Sequence, residues 1–248
     1  MRGIIVHAAV LLAAGLIAAP AVAQDNNRGA YAELSVGLAR VHDNDIGYFD
    51  EGGTFGGSGA RDTAWFEADL QNSATFGGAL GYDFGIVRAD LRVDYARSKI
   101  RSLTVKSVNG SPLTLTPADG ADICAYLEVD DCSVSGNTIS ADGSRARQLS
   151  ALANLWVDIP TGSAITPYVG GGAGIGGYEV DGEGKARFAW QLGAGVSFDL
   201  SPSVALFGDY RFRQIQGATI AYDDFPDAGV IVGKVKTSTF NLGVRFRF

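Results

Sequence analysis

The chain has 248 residues, of which 46% are apolar, and it carries a formal net charge of −7. This acidic balance argues against a nucleic-acid-binding protein, because phosphate contacts require an excess of Lys and Arg. Only 19% of the residues are charged, against about 25% in a typical soluble domain, and glycine outnumbers proline 34 to 7, which fits neither collagen nor a disordered tail.

The first 23 residues predict a secretory signal peptide rather than a part of the fold. Arg2 supplies positive charge, residues 4–19 are mostly apolar, and Ala21-Val22-Ala23 forms a small-x-small cleavage site. An N-terminal membrane anchor is the alternative, and the polar residues that follow the cleavage site argue against it. We therefore expect an exported domain over residues 24–248, in an oxidising compartment where cysteines can pair.

The remainder of the chain alternates between apolar and polar residues, which is the pattern of a strand with one apolar face. At the last segment, Phe240, Leu242 and Val244 share one face, while Arg245 and Arg247 lie on the other. Glycine weakens the prediction at the second and fifth segments. The eight predicted strands cover residues 30–40, 75–83, 87–97, 149–159, 166–176, 190–198, 206–213 and 239–248.

The connections between these segments alternate between long and short, as in a meander that crosses a bilayer. No later segment has about 20 consecutive apolar residues, so a transmembrane helix is not predicted. In lipid every backbone polar group must be paired, and a spanning sheet must therefore close on itself. The sequence predicts an all-β fold: an eight-stranded antiparallel up-and-down transmembrane β-barrel with long extracellular loops and short periplasmic turns.

A soluble eight-stranded barrel, with apolar residues inside, is the structural alternative. Here aromatic residues such as Tyr95 and Trp190 lie near strand ends on the apolar face, where membrane barrels carry their aromatic girdles. The opposite face carries charges of both signs and glycines, which suits a narrow polar interior. The pattern therefore favours the membrane barrel.

Three short motifs carry a family resemblance: YVGGGAGIG at 168–176, FGDYRF at 207–212 and NLGVRFRF at 241–248. With the alternating strands, they resemble the outer-membrane β-barrel surface-antigen family, which includes opacity-type proteins, porin-family proteins and the barrel domain of outer membrane protein A. The resemblance implies the outer membrane of a Gram-negative bacterium. It also implies that Phe240, Phe246 and Phe248 form the C-terminal signal that the barrel-assembly machinery reads.

The inward face of the predicted barrel carries six arginines and seven carboxylates: Arg88, Arg92, Arg211, Arg213, Arg245 and Arg247, with Glu33, Asp83, Asp90, Asp94, Asp158, Asp199 and Asp209. Unpaired charges at membrane depth would be costly, so they should pair and hydrogen-bond across the lumen. We predict an ionic network of Glu33, Arg88, Asp90, Arg92, Asp94, Asp209, Arg211 and Arg245. We expect this network to close the lumen, because the interior of an eight-stranded barrel is just wide enough for side chains. The alternative is a gated pore through the lumen.

The long loops are acidic and contain interleaved aromatic residues. Asp43, Asp45 and Gly47 resemble part of a calcium loop, but the remaining ligand positions do not match, and we predict no metal site. The aromatic residues either anchor a host or surface ligand or fold the loops onto each other, and the sequence leaves both open. Cys124 and Cys132 are predicted to form a disulfide that closes a short outer loop.

Few residues suggest chemistry. The glycines at 172–177 match a dinucleotide fingerprint, but a strand end and a turn follow them instead of a helix, so no cofactor is expected. His42 is the one histidine after residue 23, and a lipid-modifying enzyme that uses it as a base is the least favoured alternative. We expect a non-enzymatic protein of outer-membrane integrity or surface interaction, in contact with outer-membrane lipid and lipopolysaccharide; a narrow porin is the runner-up.

Overall fold

The computed structural model describes residues 28–42, 44–51, 61–127, 132–140, 145–180, 183–222 and 227–248. The predicted signal peptide and Asp43 lie outside these ranges. Within them the chain forms fifteen strands and one helix. They are β1 (Gly29–Val41), β2 (Asn44–Asp50), β3 (Asp62–Leu70), β4 (Ser73–Asp83), β5 (Val87–Val108), β6 (Ser111–Pro112), α1 (Pro117–Leu127), β7 (Ser133–Ser135), β8 (Thr138–Ser140), β9 (Arg145–Asp158), β10 (Ile165–Val180), β11 (Glu183–Ser201), β12 (Val204–Ile215), β13 (Ala218–Ala221), β14 (Ala228–Val232) and β15 (Val235–Arg247).

Eight of these strands close into a barrel in the order β1-β4-β5-β9-β10-β11-β12-β15, and β15 pairs back with β1. Every pairing is antiparallel, which confirms the predicted fold class. Following the register once around from Glu33 leads to Val235 on β15, ten residues before Arg245, which faces Glu33 directly. This stagger is the shear that closure of a tilted sheet requires.

The two ends of the barrel differ in their connections. At one end, β4–β5, β9–β10 and β11–β12 are joined by short turns at residues 84–86, 159–164 and 202–203. Gly85 and Gly162 adopt positive φ angles of 112° and 69° there, which other residues rarely adopt. In the outer-membrane barrel that the sequence predicts, short turns lie on the periplasmic side, and we therefore refer to the opposite end as the extracellular one.

The outward face of the barrel is an apolar band. Leu91 and Leu242 are 68% and 71% exposed, and most outward positions of the barrel strands carry similar aliphatic or aromatic residues. Exposing this apolar surface to water would cost free energy, whereas contact with the hydrocarbon tails of lipids does not. The barrel therefore has its apolar side chains outside and its charges inside, as the sequence predicts and opposite to a soluble barrel.

Beyond the band, the predicted long loops contain more regular structure than the sequence indicated. β5 continues for 22 residues, and an open sheet in the order β13-β14-β2-β3-β5-β8-β7 stands above the barrel. Likewise, β10 continues to Val180 and β11 begins at Glu183, although the sequence predicts a connection of roughly ten residues between these strands. These extensions lack strict alternation, and their backbone groups pair with partners from distant loops, so local pattern could not reveal them.

The second long connection contains α1, which the sequence analysis did not predict. Thr116 and Asp119 form a reciprocal cap: the Thr116 backbone N–H donates to the Asp119 carboxylate at 2.8 Å, and the Asp119 N–H donates to the Thr116 hydroxyl at 3.3 Å. The hydrogen bonds from Thr116 lower the pKa of Asp119 below its usual value. Cys124, on this helix, is joined to Cys132, with 5.5 Å between their Cα atoms. No helix in the described ranges is long and apolar enough to span a membrane.

Candidate functional site

The candidate site is the lumen of the barrel, where the sequence places its charges. All eight residues of the predicted network point inward and are at most 6% exposed: Glu33, Arg88, Asp90, Arg92, Asp94, Asp209, Arg211 and Arg245. Their placement follows from alternation, since each sits one residue from an outward apolar neighbour on its strand. The structure therefore brings together residues from four strands, β1, β5, β12 and β15.

Glu33 is shared by three arginines. Its carboxylate lies 2.8 Å from Arg245 Nε, 3.3 Å from Arg92 Nη1 and 3.6 Å from Arg88 Nη1. Arg88 also makes a two-pronged contact with Asp158, at 2.7 and 2.8 Å. The Glu33 carboxylate thus connects the side chains in the periplasmic half of the lumen. Hydrogen bonds between charged groups are stronger than those between neutral groups.

A second group lies nearer the extracellular end, around Asp94. Arg92 Nε donates to Asp94 at 2.8 Å, and the Arg213 guanidinium contacts the other oxygen of the same carboxylate. Arg213 also donates to the side-chain carbonyl of Gln191 at 3.2 Å. Since Arg92 contacts both Glu33 and Asp94, the two groups form one continuous network.

Asp209 and Asp90 are held differently from each other. Asp209 accepts two bonds from Arg211, at 2.5 and 3.0 Å, and others from Asn241 and Tyr168. Asp90 has no ion pair within the described residues. It accepts hydrogen bonds from neutral donors: Tyr31 OH at 3.0 Å, Trp156 Nε1 at 2.9 Å and Asn154 Nδ2 at 2.7 Å. The sequence predicts a charged partner for Asp90, whereas in the structure its described partners are neutral hydrogen-bond donors.

Sequence reasoning counted only the charges and missed the neutral residues between them. Trp156 packs edge-on against Tyr168, with ring centroids 5.6 Å apart. The guanidinium groups of Arg211 and Arg88 lie over these rings, 5.0 Å from Trp156 and 4.9 Å from Tyr168. Such cation–π contacts strengthen where water is excluded. The alternation of β9 and β10 puts both aromatic residues on the inward face, so the signal was present.

Glycines on the inner wall let these side chains fill the lumen. A Cβ at Gly172 would lie 2.1 Å from Asn154 Oδ1, and one at Gly195 would lie 2.7 Å from the Tyr168 ring. Gly172 opens the stretch that matches a dinucleotide fingerprint, and in the structure this stretch lies within β10, without a following helix. The glycines therefore serve packing.

An apolar cluster, which we call the outer seal, lies above the ionic network at the extracellular end. It comprises Leu152, Tyr178, Ala189, Ile215, Ala218, Val232 and Val235. The members come from five barrel strands and from the hairpin formed by β13 and β14. Gly176 gives this cluster room, because a Cβ there would lie 2.6 Å from the Ile215 side chain. An apolar layer of this kind opposes the passage of ions.

The remaining sequence-predicted residues lie on the outer wall or at its extracellular edge. Phe240, Phe246 and Phe248 are exposed at or next to β15, on the lipid-facing side. His42 follows β1, and its Nε2 lies 2.8 Å from Ser238 Oγ, which also lies 2.8 Å from Tyr210 OH. Ser238 is 196 residues from His42 along the chain, so no local motif could indicate this contact. Among the described residues, no carboxylate contacts the His42 ring, and no three His, Cys, Asp or Glu side chains form a metal-binding group.

The geometry of a closed, apolar-faced ring of eight strands agrees with a comparison of the sequence with known families. Residues 9–248 match the family described as the outer membrane protein beta-barrel domain. The chain belongs to this outer-membrane β-barrel family. Membership places it in the outer membrane of a Gram-negative bacterium.

Individual proteins and solved structures are also similar to this chain. Uncharacterized proteins of Brucella abortus and Brucella melitensis are 32% identical over 188 residues, which is 65% of this chain and 58% of theirs. The match thus spans little more than half of those relatives. The crystal structure of OprG, an outer membrane protein of Pseudomonas aeruginosa, superposes with a TM-score of 0.51 at 15% identity, covering 90% of this chain and 98% of OprG. Neisserial surface protein A gives 0.48 at 17% identity, with 89% and 97% covered.

Proposed function

We propose that this family member is a non-enzymatic, non-conducting barrel that serves outer-membrane integrity or surface interaction. The observation that carries the proposal is the filled lumen. A network of paired charges occupies the membrane-embedded part, and the outer seal covers it at the extracellular end. An eight-stranded barrel leaves no room for a water-filled path once side chains occupy its interior.

The surface role is supported by the open sheet above the barrel. β2, β3 and the outer part of β5 project past the apolar band and carry acidic residues, among them Asp45, Glu67 and Asp69. Residues on strands hold their side chains in more precisely defined positions than residues on a flexible loop would. A host or surface ligand at this sheet, and recognition of β15 by the barrel-assembly machinery, remain predictions.

Planar-bilayer recording tests the closed lumen directly. We expect the refolded protein to show no discrete conductance steps, because ions would have to cross both the paired charges and the outer seal. The measurement is single-channel current, with insertion confirmed independently and a conducting porin as the positive control in the same bilayers.

Reproducible steps would contradict the proposal and favour the narrow porin. In that case, neutral replacements of Arg92 and Asp209, which lie in the lumen, should change the ion selectivity of the current. Replacement of Lys106, which lies on the open sheet beyond the lumen, is the matched control and should leave selectivity unchanged.

Among the described residues, the contact between His42 and Ser238 is the observation that favours an enzyme acting on membrane lipid. A nucleophile and its base must lie within hydrogen-bond reach, and this pair does. However, a regular ladder on β15 pairs the backbone around Ser238 with β1 and β12, so its N–H groups are not arranged as donors to a developing oxyanion. The pair therefore fits a structural contact at the edge of the barrel better than a hydrolytic site.

Lipid profiling of cells that carry His42→Ala tests this second candidate. We expect the lipid A species to match those of the wild type, since the proposal assigns no catalysis to His42. Ser203→Ala, in an exposed turn at the opposite end, is the control for expression. Disappearance of one modified lipid A species in His42→Ala and Ser238→Ala, but not in the control, would establish the enzyme instead.

A further inference from the structure

The lipid-facing wall changes character abruptly at its extracellular edge. From the short-turn end upward, the described outward positions of the eight barrel strands carry no charged residue until one common level. At and just above that level, the first charged residues are Arg40 on β1, Arg97 on β5, Arg147 on β9, Lys236 on β15 and Glu179 on β10. Four of these five are basic, although the whole chain is acidic.

On β5 and β9 the basic residues form two stacked rows of like charge. The register pairs Arg97 directly with Arg147, and Lys99 directly with Arg145. All four side chains are exposed on the outward face. Side chains that face each other across antiparallel strands lie about 4.5–5.5 Å apart at Cβ, and like charges in this position destabilise a sheet.

The described residues neutralise little of this charge. Of these four residues, only Arg147 forms an ion pair with another described residue, Glu179, at 2.9 Å. On the other side, β4 and the link before it offer neutral neighbours, and the Gln71 N–H donates to the Lys99 carbonyl at 2.8 Å. Three like-charged side chains without an ion pair among the described residues, Arg97, Lys99 and Arg145, indicate an anion from outside the chain.

The position of the rows indicates which anion. Directly below them, the register pairs Tyr95 with Leu149, followed by Val93 with Ala151, all on the lipid-facing wall. Tyrosine at this depth marks the boundary between hydrocarbon and headgroups. The cations therefore lie at the level of the headgroups in the outer leaflet, on the extracellular side of the barrel.

We infer that Arg97, Lys99, Arg145 and Arg147, here called the four-cation patch, bind the phosphate groups of lipopolysaccharide in the outer leaflet. Arginine suits this ligand because its planar fork matches phosphate oxygens in pairs. A bound phosphate would also offset the repulsion within each row. The inference goes beyond the proposed function and does not depend on whether the lumen conducts.

Binding of diphosphorylated lipid A to the folded protein in detergent micelles tests the inference. The variant Arg97→Gln/Lys99→Gln/Arg145→Gln leaves the Arg147–Glu179 pair intact. Each cation near an anionic surface contributes about fivefold in affinity, so we expect this variant, which loses three, to bind about a hundredfold more weakly. The charge-matched control is Arg61→Gln/Arg101→Gln/Lys106→Gln, which removes three cations paired with Glu51, Asp69 and Glu67 above the membrane.

Two further measurements separate this explanation from a structural one. Enzymatically dephosphorylated lipid A should bind the wild type as weakly as diphosphorylated lipid A binds the patch variant. The patch variant should unfold at no lower urea concentration than the wild type, because it loses repulsion and no ion pair among the described residues. Equal lipid A affinity for the patch variant and the control, equal binding of the dephosphorylated lipid, or displacement of lipid A by equimolar inorganic phosphate would overturn the inference.

Discussion

Replacing Glu33 with Gln is expected to lower the free energy of unfolding by about 3–5 kcal/mol, the usual cost of removing one partner from a buried ionic group. Glu33 is the shared anion of Arg88, Arg92 and Arg245, at 2.8 to 3.6 Å. The neutral amide keeps the shape of the side chain but leaves three cations in the lumen with less compensation. Urea unfolding of the refolded protein in lipid vesicles, followed by loss of the sheet signal in circular dichroism, measures the effect.

Glu67→Gln is the matched control for this substitution. Glu67 contacts Lys106 on the open sheet, where both side chains are substantially exposed, and such pairs contribute at most about 1 kcal/mol. A Glu33→Gln protein that unfolds at the same urea concentration as Glu67→Gln would show that the lumen arginines do not depend on Glu33.

Replacing Trp156 with Ala is the second substitution with a large expected effect, about 3–5 kcal/mol of lost stability. Trp156 is 1% exposed, packs against Tyr168 and lies under the Arg211 guanidinium. Its indole N–H also donates to Asp90, a carboxylate without an ion pair among the described residues, so that truncation leaves both a cavity and an under-satisfied anion. The same unfolding measurement applies.

Trp190→Ala provides the control with the same change of side chain. Trp190 lies on the outward face of β11 and contacts Phe212, with 5.8 Å between ring centroids, so its loss exposes no lumen group. We expect less than half the effect of Trp156→Ala. If the two variants lost equal stability, the lumen would not be the tightly packed layer that the structure describes.

Much of the fold was readable from the sequence because alternation is a local property of a strand. Leu91 and Arg92 are neighbours, and a period of two alone assigns one to lipid and the other to the lumen. The short turns at 84–86 and 202–203 were equally readable, since turns depend on a few adjacent residues. The same local signals predicted eight spanning strands and an inward ring of charge.

Which inward residue meets which was decided only by closure of the ring. The ten-residue stagger around the barrel brings Arg245 onto Glu33 and Arg213 onto Asp94, partners that are more than a hundred residues apart. It also surrounds Asp90 with neutral donors and places Ser238 beside His42. The amino-acid sequence by itself determined the two faces of each strand and hence a membrane barrel with charges inside; the register and shear of the closed sheet, which are set by contacts between distant strands, determined the network, the outer seal and the four-cation patch.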